Sequence, residues 1–350
     1  MRIRRFFYIL THWEKWHYHV KYIPLYPVWL WFCLRSKSFW FFTPSNPTLT
    51  FGGFEGESKQ EMYRQLPEGS YPRSIYISPG LSFDELITMV QSERFTYPFA
   101  VKPDVGMMGF LFRVMENEYD LEQYHQMIPC DYIIQELVEY PIEVSVFYYR
   151  YPYQHKGHIT GFVRKEMLEV IGDGRSTLDE LLKQFQNRPG FQPEEWRTKH
   201  RARLNDVIPQ GEVFRLSWVA NLSRGGRLVN LDHEKDERLL DVFDRLSHYN
   251  GNFYYGRYDI KCASIEDLRN GRNFSILEYN GSGAEPHHVY GNGNNLFEAY
   301  GILIHHWKTL AAISRYNHKN GIRYWGFTEG LSYLKKAKKH FRLLKQLDRS

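Results

Sequence analysis

The chain reads as short apolar runs cut by Gly and Pro, with longer helical stretches between them. Runs at 74–78, 98–103, 110–115, 131–138, 143–149 and 212–218 predict strands. The turn Asp104-Val-Gly-Met-Met-Gly109 joins two of them. Helical spacing predicts helices at 58–66, 118–127, 178–185, 239–249 and 294–310. Ser82, with Glu85 at capping-box spacing, starts another that runs to Val90. Residues 187–205 form a polar excursion, and 220–226 a loop rich in glycine, hydroxyl and amide. In the tail, Leu331, Leu334, Phe341, Leu344 and Leu347 fall near one helical face, with Lys335, Lys336, Lys338, Lys339 and Lys345 mostly elsewhere. The clearest alternation lies in 256–262 and 277–280. Arg257, Asp259 and Lys261 alternate with Tyr258, Ile260 and Cys262, and Glu278 and Asn280 alternate with Leu277 and Tyr279. A period of two gives each strand one polar face.

The first 50 residues break this pattern. Arg2, Arg4 and Arg5 lead into Phe6–Leu10, and aromatic runs follow at 22–34 and 39–42. No run approaches the roughly 20 apolar residues that span a bilayer, and Pro24 and Pro27 interrupt the best one. Lys15, Lys21 and several His precede that run and no small-residue cleavage site follows it, which is unlike a signal peptide. Trp, Tyr, Lys and Arg settle at lipid headgroups, so an in-plane anchor on an anionic membrane fits. An arm packed on the protein body or in a homodimer interface fits equally. The basic tail leaves the same choice between anionic lipid and solvent.

At 350 residues, two or three lobes are expected. The net charge of +5 is unevenly spread. Met1–Trp40 and Leu331–Ser350 carry +6 each, which leaves the middle at about −7. An acidic body argues against a nucleic-acid partner. Cys33, Cys130 and Cys262 are scattered, without CxxC spacing, so a reducing, cytoplasmic setting is the default, with a peripheral place on the inner face of the cell membrane as the variant.

With their polar faces together, the two alternating stretches bring Asp259, Glu278 and Asn280 to one point beside Arg257. Hard oxygen donors without Cys or His suit Mg²⁺. Two carboxylates and an amide are what a two-metal clamp on a nucleotide's phosphates requires. Hairpin strands with polar solvent faces give the same alternation. Lys102 before a glycine turn supplies a point charge and backbone N–H groups that suit phosphates. His287 and His288 lack a third ligand at metal spacing and read as surface or supporting residues. Asp104 and Glu285 stand at the cleft edge, where substrate contact is open.

The order of these pieces is more specific than any one of them. A lysine strand, a glycine hairpin, Gln135-Glu-Leu-Val138, Glu143, a second lysine in Phe162-Val-Arg-Lys-Glu166, then Asp259 and Glu278-x-Asn280 resemble the ATP-grasp superfamily, on the side of carboxylate–amine ligases of the D-alanine–D-alanine ligase type. Val170-Ile-Gly-Asp-Gly-Arg-Ser-Thr-Leu-Asp-Glu-Leu and Ala220-Asn-Leu-Ser-Arg-Gly-Gly226 look like segments of cyanophycin synthetase and glutathione-forming ligases. The resemblance covers roughly residues 96–310. It implies an α+β fold, with two lobes of largely antiparallel sheet gripping ATP: 98–160 as the small lobe and 161–330 as the large. The N-terminal lobe is shortened to 51–97, preceded by the arm 1–50 and followed at the far end by the tail 331–350.

The resemblance also implies roles. Lys102 would contact the α/β-phosphates and Lys165 a neighbouring phosphate. Gly106, Met107, Met108 and Gly109 would close over ATP. Glu136, Leu137 and Val138 would be the hinge at the adenine edge, and Glu143 would bind the ribose. Asp259 and Glu278 would hold one Mg²⁺, Glu278 and Asn280 the second, with Mn²⁺ an alternative ion. Arg257 would stabilise charge on the acyl phosphate, with Arg215 and Asn221 near the reacting centre. Two departures stand out. Relatives carry a full α/β domain before the lysine strand, and read x-x-Pro-Gly after the asparagine. Here Gly281-Ser-Gly-Ala284 follows, leaving Gly283 or Ala284 to offer oxyanion-binding N–H groups. The expected activity is ATP-dependent joining of a small-molecule or lipid-linked carboxylate to an amine. An ATP-grasp kinase without ligation, and a membrane-surface binding protein with a vestigial nucleotide site, are the alternatives.

Overall fold

Two antiparallel sheets face each other across a cleft in the computed structural model, which describes residues 13, 16, 18–186, 191, 193–216, 226–291 and 293–348. β1 (Ser74–Ile77), β2 (Phe99–Pro103), β3 (Arg113–Met115) and β4 (Tyr132–Glu136) form the smaller sheet, in the order β1-β4-β2-β3. β5 (Ile142–Tyr149), β6 (His158–Glu166), β7 (Glu169–Ile171), β8 (Val213–Arg215), β9 (Arg227–Asn230), β10 (Tyr255–Cys262) and β11 (Phe274–Asn280) follow. Five of these make the larger sheet, β11-β10-β5-β6-β9, while β7 and β8 pair as a separate ribbon. Every pairing among these strands is antiparallel. The architecture is therefore the mixed helix and antiparallel sheet expected of the sequence.

Each sheet has its own core. Under the larger one, Val144, Val146, Tyr258, Ile260 and Ile276 meet Leu239, Val242, Phe243 and Leu246 of the helix Glu237–Tyr249. Asp236 caps that helix by accepting from the Leu239 N–H. Behind the smaller sheet, Val101, Ile134 and Tyr132 meet Leu86 and Val90 of the helix Phe83–Ser92, and Leu121 and Tyr124 of the helix Glu118–Met127. The Ser82–Glu85 capping box is formed in both directions. A third, aromatic cluster joins Trp40, Phe41, Phe42 and Phe51 to Phe147, Tyr149 and Tyr255 of the larger sheet.

Several boundaries differ from the sequence expectation. β5 lies in the larger sheet and β1 in the smaller, so the lobes divide between Glu136 and Ile142 rather than at 160, and residues 74–77 are no separate linking lobe. β3 starts three residues late, because Met108, Gly109 and Leu111 take φ of 55°, 70° and 56° and wind the chain into turns. The expected helix 294–310 continues to Lys319, ending just before Gly321 at φ 100°.

The tail helix begins at Phe327 and crosses between clusters. Tyr333 and Leu334 pack on the aromatic one, and Ala337, Phe341 and Leu344 on the core of the smaller sheet. Its apolar face is thus mostly used internally. Part of the N-terminal arm does the same: Tyr22, Leu25 and Cys33 are buried along with Trp40, Phe41 and Phe42. Among the described residues, no helix is long and apolar enough to cross a membrane.

Candidate functional site

The register of β10 and β11 builds the floor of the cleft. Asp259 stands opposite Glu278, and Arg257 opposite Asn280. On the other flank of β10, Ser145 of β5 stands opposite Asp259 and Glu143 opposite Lys261, and Glu143 in turn faces Lys165 of β6. The period-two face read from the sequence is therefore one polar patch across four strands.

Asp259 is the hub of that patch. The Arg257 guanidinium grips it with two bonds, Nε to Oδ1 and Nη2 to Oδ2, both 3.0 Å. Lys165 Nζ lies 3.2 Å from Oδ1, the Ser145 hydroxyl donates to the same oxygen, and Asn280 Nδ2 donates to Oδ2 at 3.4 Å. Burial would raise the Asp259 carboxyl, but Arg257 and Lys165 hold it well below the usual carboxylate range. Glu143, 3.2 Å from the same Lys165 amine, is pushed up by burial in spite of that neighbour. Behind Ser145, His287 Nδ1 lies 3.1 Å from the hydroxyl. Burial first, then the Arg257 charge, keeps that imidazole neutral.

The side of Glu278 is looser. Its carboxylate has one ion pair, with Lys59 Nζ at 3.7 Å. Lys59 comes from the short helix Lys59–Tyr63 ahead of the lysine strand and also donates to the Asp104 carbonyl at 3.2 Å. The Asp104 carboxylate accepts from the Gln60 N–H, so it ties this helix to the hairpin. Lys102 reaches across from β2 and donates to the Leu277 carbonyl of β11 at 3.4 Å. Burial, helped by the charge of Lys59, lowers the Lys102 amine to about 7.

Lys102, Gly106, Met107, Met108, Gly109, Glu136, Leu137, Val138, Glu143, Lys165, Asp259 and Glu278 all border one open cleft between the sheets. Of the backbone groups in the expected hinge, the Glu136 N–H donates to the Arg73 carbonyl, and the Val138 carbonyl accepts from Lys261 Nζ at 2.7 Å. Both ends of the glycine hairpin are held by the tail. His340 Nε2 donates to the Val105 carbonyl at 2.7 Å. Asp348 Oδ1 accepts from the Leu111 N–H at 2.9 Å and from Arg113 Nη1 at 3.0 Å.

Three expected residues stand apart from this set. Arg215 ends β8 in the separate ribbon, where its charge helps lower the Lys261 amine, after burial. Asn221 lies outside the described residues. Gly283 requires a correction as an oxyanion donor. Its N–H donates to the Gly53 carbonyl at 3.1 Å, and the Ala284 N–H is taken by the Gly281 carbonyl at 2.9 Å. A Cβ at Gly283 would collide with the Phe54 carbonyl, so this glycine is there for close backbone packing against Phe54. Glu285, expected at the cleft edge, accepts from Tyr22 Oη and Tyr290 Oη, and its carbonyl accepts from Arg257 Nη1 at 2.9 Å. His288 packs against Gly161, buried. The sequence reading missed Lys59, Ser145 and Lys261. Ser145 and Lys261 were findable, since each falls on the polar face of its strand. Lys59 carries no signal in its five-residue helix.

Among the described residues, no group of three or more His, Cys, Asp or Glu gathers at metal-binding distance. The set here is two carboxylates and an amide, hard oxygen donors that fit Mg²⁺ when phosphate oxygens and water complete its shell. Glu278 can turn to such an ion at the cost of one long ion pair. Asp259 must first exchange Lys165 or Arg257.

No known family's sequence profile matches the chain, and no curated protein matches its sequence. Solved structures resemble it in part. A D-alanine–D-alanine ligase from Bacillus anthracis is 14% identical over 75% of this chain and 69% of its own, with a TM-score of 0.43. A bifunctional glutathione synthetase from Pasteurella multocida is 14% identical over 73% of this chain, with a TM-score of 0.38, and the ATP-grasp ligase PsnB is 14% identical over 71%, also at 0.38. This chain spans 38% of the glutathione synthetase and 60% of PsnB. At these scores the likenesses assign neither activity nor substrate.

Proposed function

We propose that the chain is an ATP-dependent ligase that activates a carboxylate as an acyl phosphate and joins it to an amine. The observation that carries this reading is the cleft itself. Lys102 and a glycine hairpin on one wall face Lys165, Asp259 and Glu278 on the other. Phosphoryl transfer leaves a protein little covalent chemistry; it needs fixed positive charge and in-line placement. The substrate carboxylate oxygen attacks the γ-phosphorus and ADP leaves. The amine nitrogen then attacks the acyl carbon, phosphate departs with the bonding pair, and the amine proton passes to solvent. Lys102 and Lys165 would hold the phosphates, and the hairpin would exclude water. Arg257, fixed by Asp259, would face charge developing on the acyl oxygen. Glu278, with Asp259 and Asn280, would hold one or two Mg²⁺, which when bound neutralise the phosphate oxygens. A cytoplasmic setting, with Cys33, Cys130 and Cys262 as free thiols, is part of the reading.

One observation favours a second reading, a kinase that stops after phosphoryl transfer: the Gly283 and Ala284 N–H groups are both engaged, leaving no oxyanion donor there. ADP release measured across amino acids, small peptides and lipid-borne amines separates the two. The ligase needs both a carboxylate and an amine for steady turnover, while the kinase releases ADP with no amine present. Undiminished ADP release by Glu278→Ala would remove the metal assignment from either reading.

A further inference from the structure

The arm residues that do not pack inward form a pattern of their own. Ile23, Pro27, Leu30, Trp31 and Leu34 are spaced as one face of a helix, and the structure turns that face to solvent. Ile23 is 57% exposed, Leu30 51%, Trp31 57% and Leu34 74%. The opposite face, with Leu25 and Cys33, is buried against the body. The stripe ends at Lys37, whose left-handed conformation (φ 52°) turns the chain back. It does not end the exposed apolar surface. Phe39 lies with its ring 5.7 Å from that of Phe327, which sets the start of the tail helix beside the end of the stripe. Along that helix, Phe327, Leu331, Lys335, Lys338 and Arg342 follow at three- and four-residue steps, all exposed.

Charge decides what such a surface meets. Residues 18–38 contain Lys21, Arg35 and Lys37 and no acid. Residues 331–347 contain Lys335, Lys336, Lys338, Lys339, Arg342 and Lys345 and again no acid. Glu329, the nearest acid to Phe327 in sequence, is paired with Arg323. A symmetric dimer through the stripe would bring together two segments that each carry Lys21, Arg35 and Lys37 and no acid, which is unfavourable. We infer that the exposed stripe of the helix Tyr26–Ser36 and the basic outer face of the tail helix together dock on an anionic lipid surface. The aromatic and aliphatic side chains enter the headgroup boundary while the lysines meet lipid charge, and neither helix crosses the bilayer. This goes beyond the ligase reading and does not depend on it.

The test is co-sedimentation of the full chain with vesicles of phosphatidylcholine alone and of phosphatidylcholine mixed with phosphatidylglycerol. Wild type should bind the mixed vesicles, bind less as salt rises, and leave the neutral ones largely in solution. Trp31→Ser with Leu34→Ser should lower binding to mixed vesicles by about tenfold or more, and Lys335→Gln with Lys336→Gln and Lys339→Gln by a similar factor. All five side chains are exposed, so unchanged thermal melting certifies the fold of both variants. Wild type that ignores both vesicles, or a Trp31/Leu34 variant that binds as well as wild type, overturns the inference. So does a wild-type dimer, seen by analytical ultracentrifugation, that the Trp31/Leu34 variant dissolves without losing vesicle binding. Deleting residues 1–12 tests them as the anchor instead: loss of binding in that deletion with full binding in the Trp31/Leu34 variant overturns it as well.

Discussion

Asp259 and Glu278 face each other on neighbouring strands, yet the protein surrounds them differently. Asp259 sits in a closed shell of guanidinium, ammonium, hydroxyl and amide donors. Glu278, one strand away, borders the open cleft with one long ion pair. A buried carboxylate with every lone pair engaged is a structural anchor first, because the cations around it depend on it as much as it depends on them. A partly exposed one with a single weak partner is free to change partners. The floor of the cleft thus divides the work between a fixed point that aims Arg257 and Lys165 and an adjustable ligand that answers to what enters.

The largest test of this contrast is Asp259→Asn. It strands the buried Arg257 guanidinium and leaves Lys165 with Glu143 alone, so unfolding in urea should show a loss of about 3–5 kcal/mol, and ADP release should vanish with it. A loss below about 1 kcal/mol would show that Asp259 anchors nothing. Glu278→Gln should do the reverse. Stability without ligand should move by less than about 1 kcal/mol, since the ion pair it breaks is partly exposed. The added stability from Mg-ATP, about 2.7 kcal/mol at a hundredfold excess over Kd, should largely disappear. A variant that Mg-ATP stabilises as well as wild type breaks the comparison.

The third and smallest effect is of pH. Lys102 is lowered by burial from 10.5 to about 7. Between those values the unfolded chain binds the extra proton, so the Lys102 contribution to stability rises with pH through that window. Phosphate at Lys102 favours the charged form, so nucleotide binding takes up a proton, and affinity falls by up to about tenfold per pH unit above 7. Calorimetry in buffers of differing ionisation enthalpy reads that uptake directly. Lys102→Met should abolish it, and Lys59→Met should move it to higher pH by removing the like charge beside Lys102.

What the sequence disclosed was whatever depends on local period. Alternation in 256–262 and 277–280 foretold the register that sets Asp259 against Glu278, and the Ser82–Glu85 spacing foretold a formed capping box. It was silent where distant segments decide. Nothing local shows that Gly283 is pressed against Phe54, more than two hundred residues away, or that its N–H is taken by the Gly53 carbonyl. Leu334, Phe341 and Leu344 look like a face for any apolar partner, and only the packed fold shows that the partner is the body itself. Lys59 joins the cleft because the Asp104 carbonyl and Glu278 surround it, and neither is near it in sequence.

The contacts from His340 to Val105, and from Asp348 to Leu111 and Arg113, make the last turns of the tail helix a stitch through both shoulders of the glycine hairpin. The hairpin between β2 and β3 is therefore held at both shoulders only once the tail helix has docked. Whatever pulls on that helix, whether a nicking protease or a surface gripping its lysines, is felt at the mouth of the cleft.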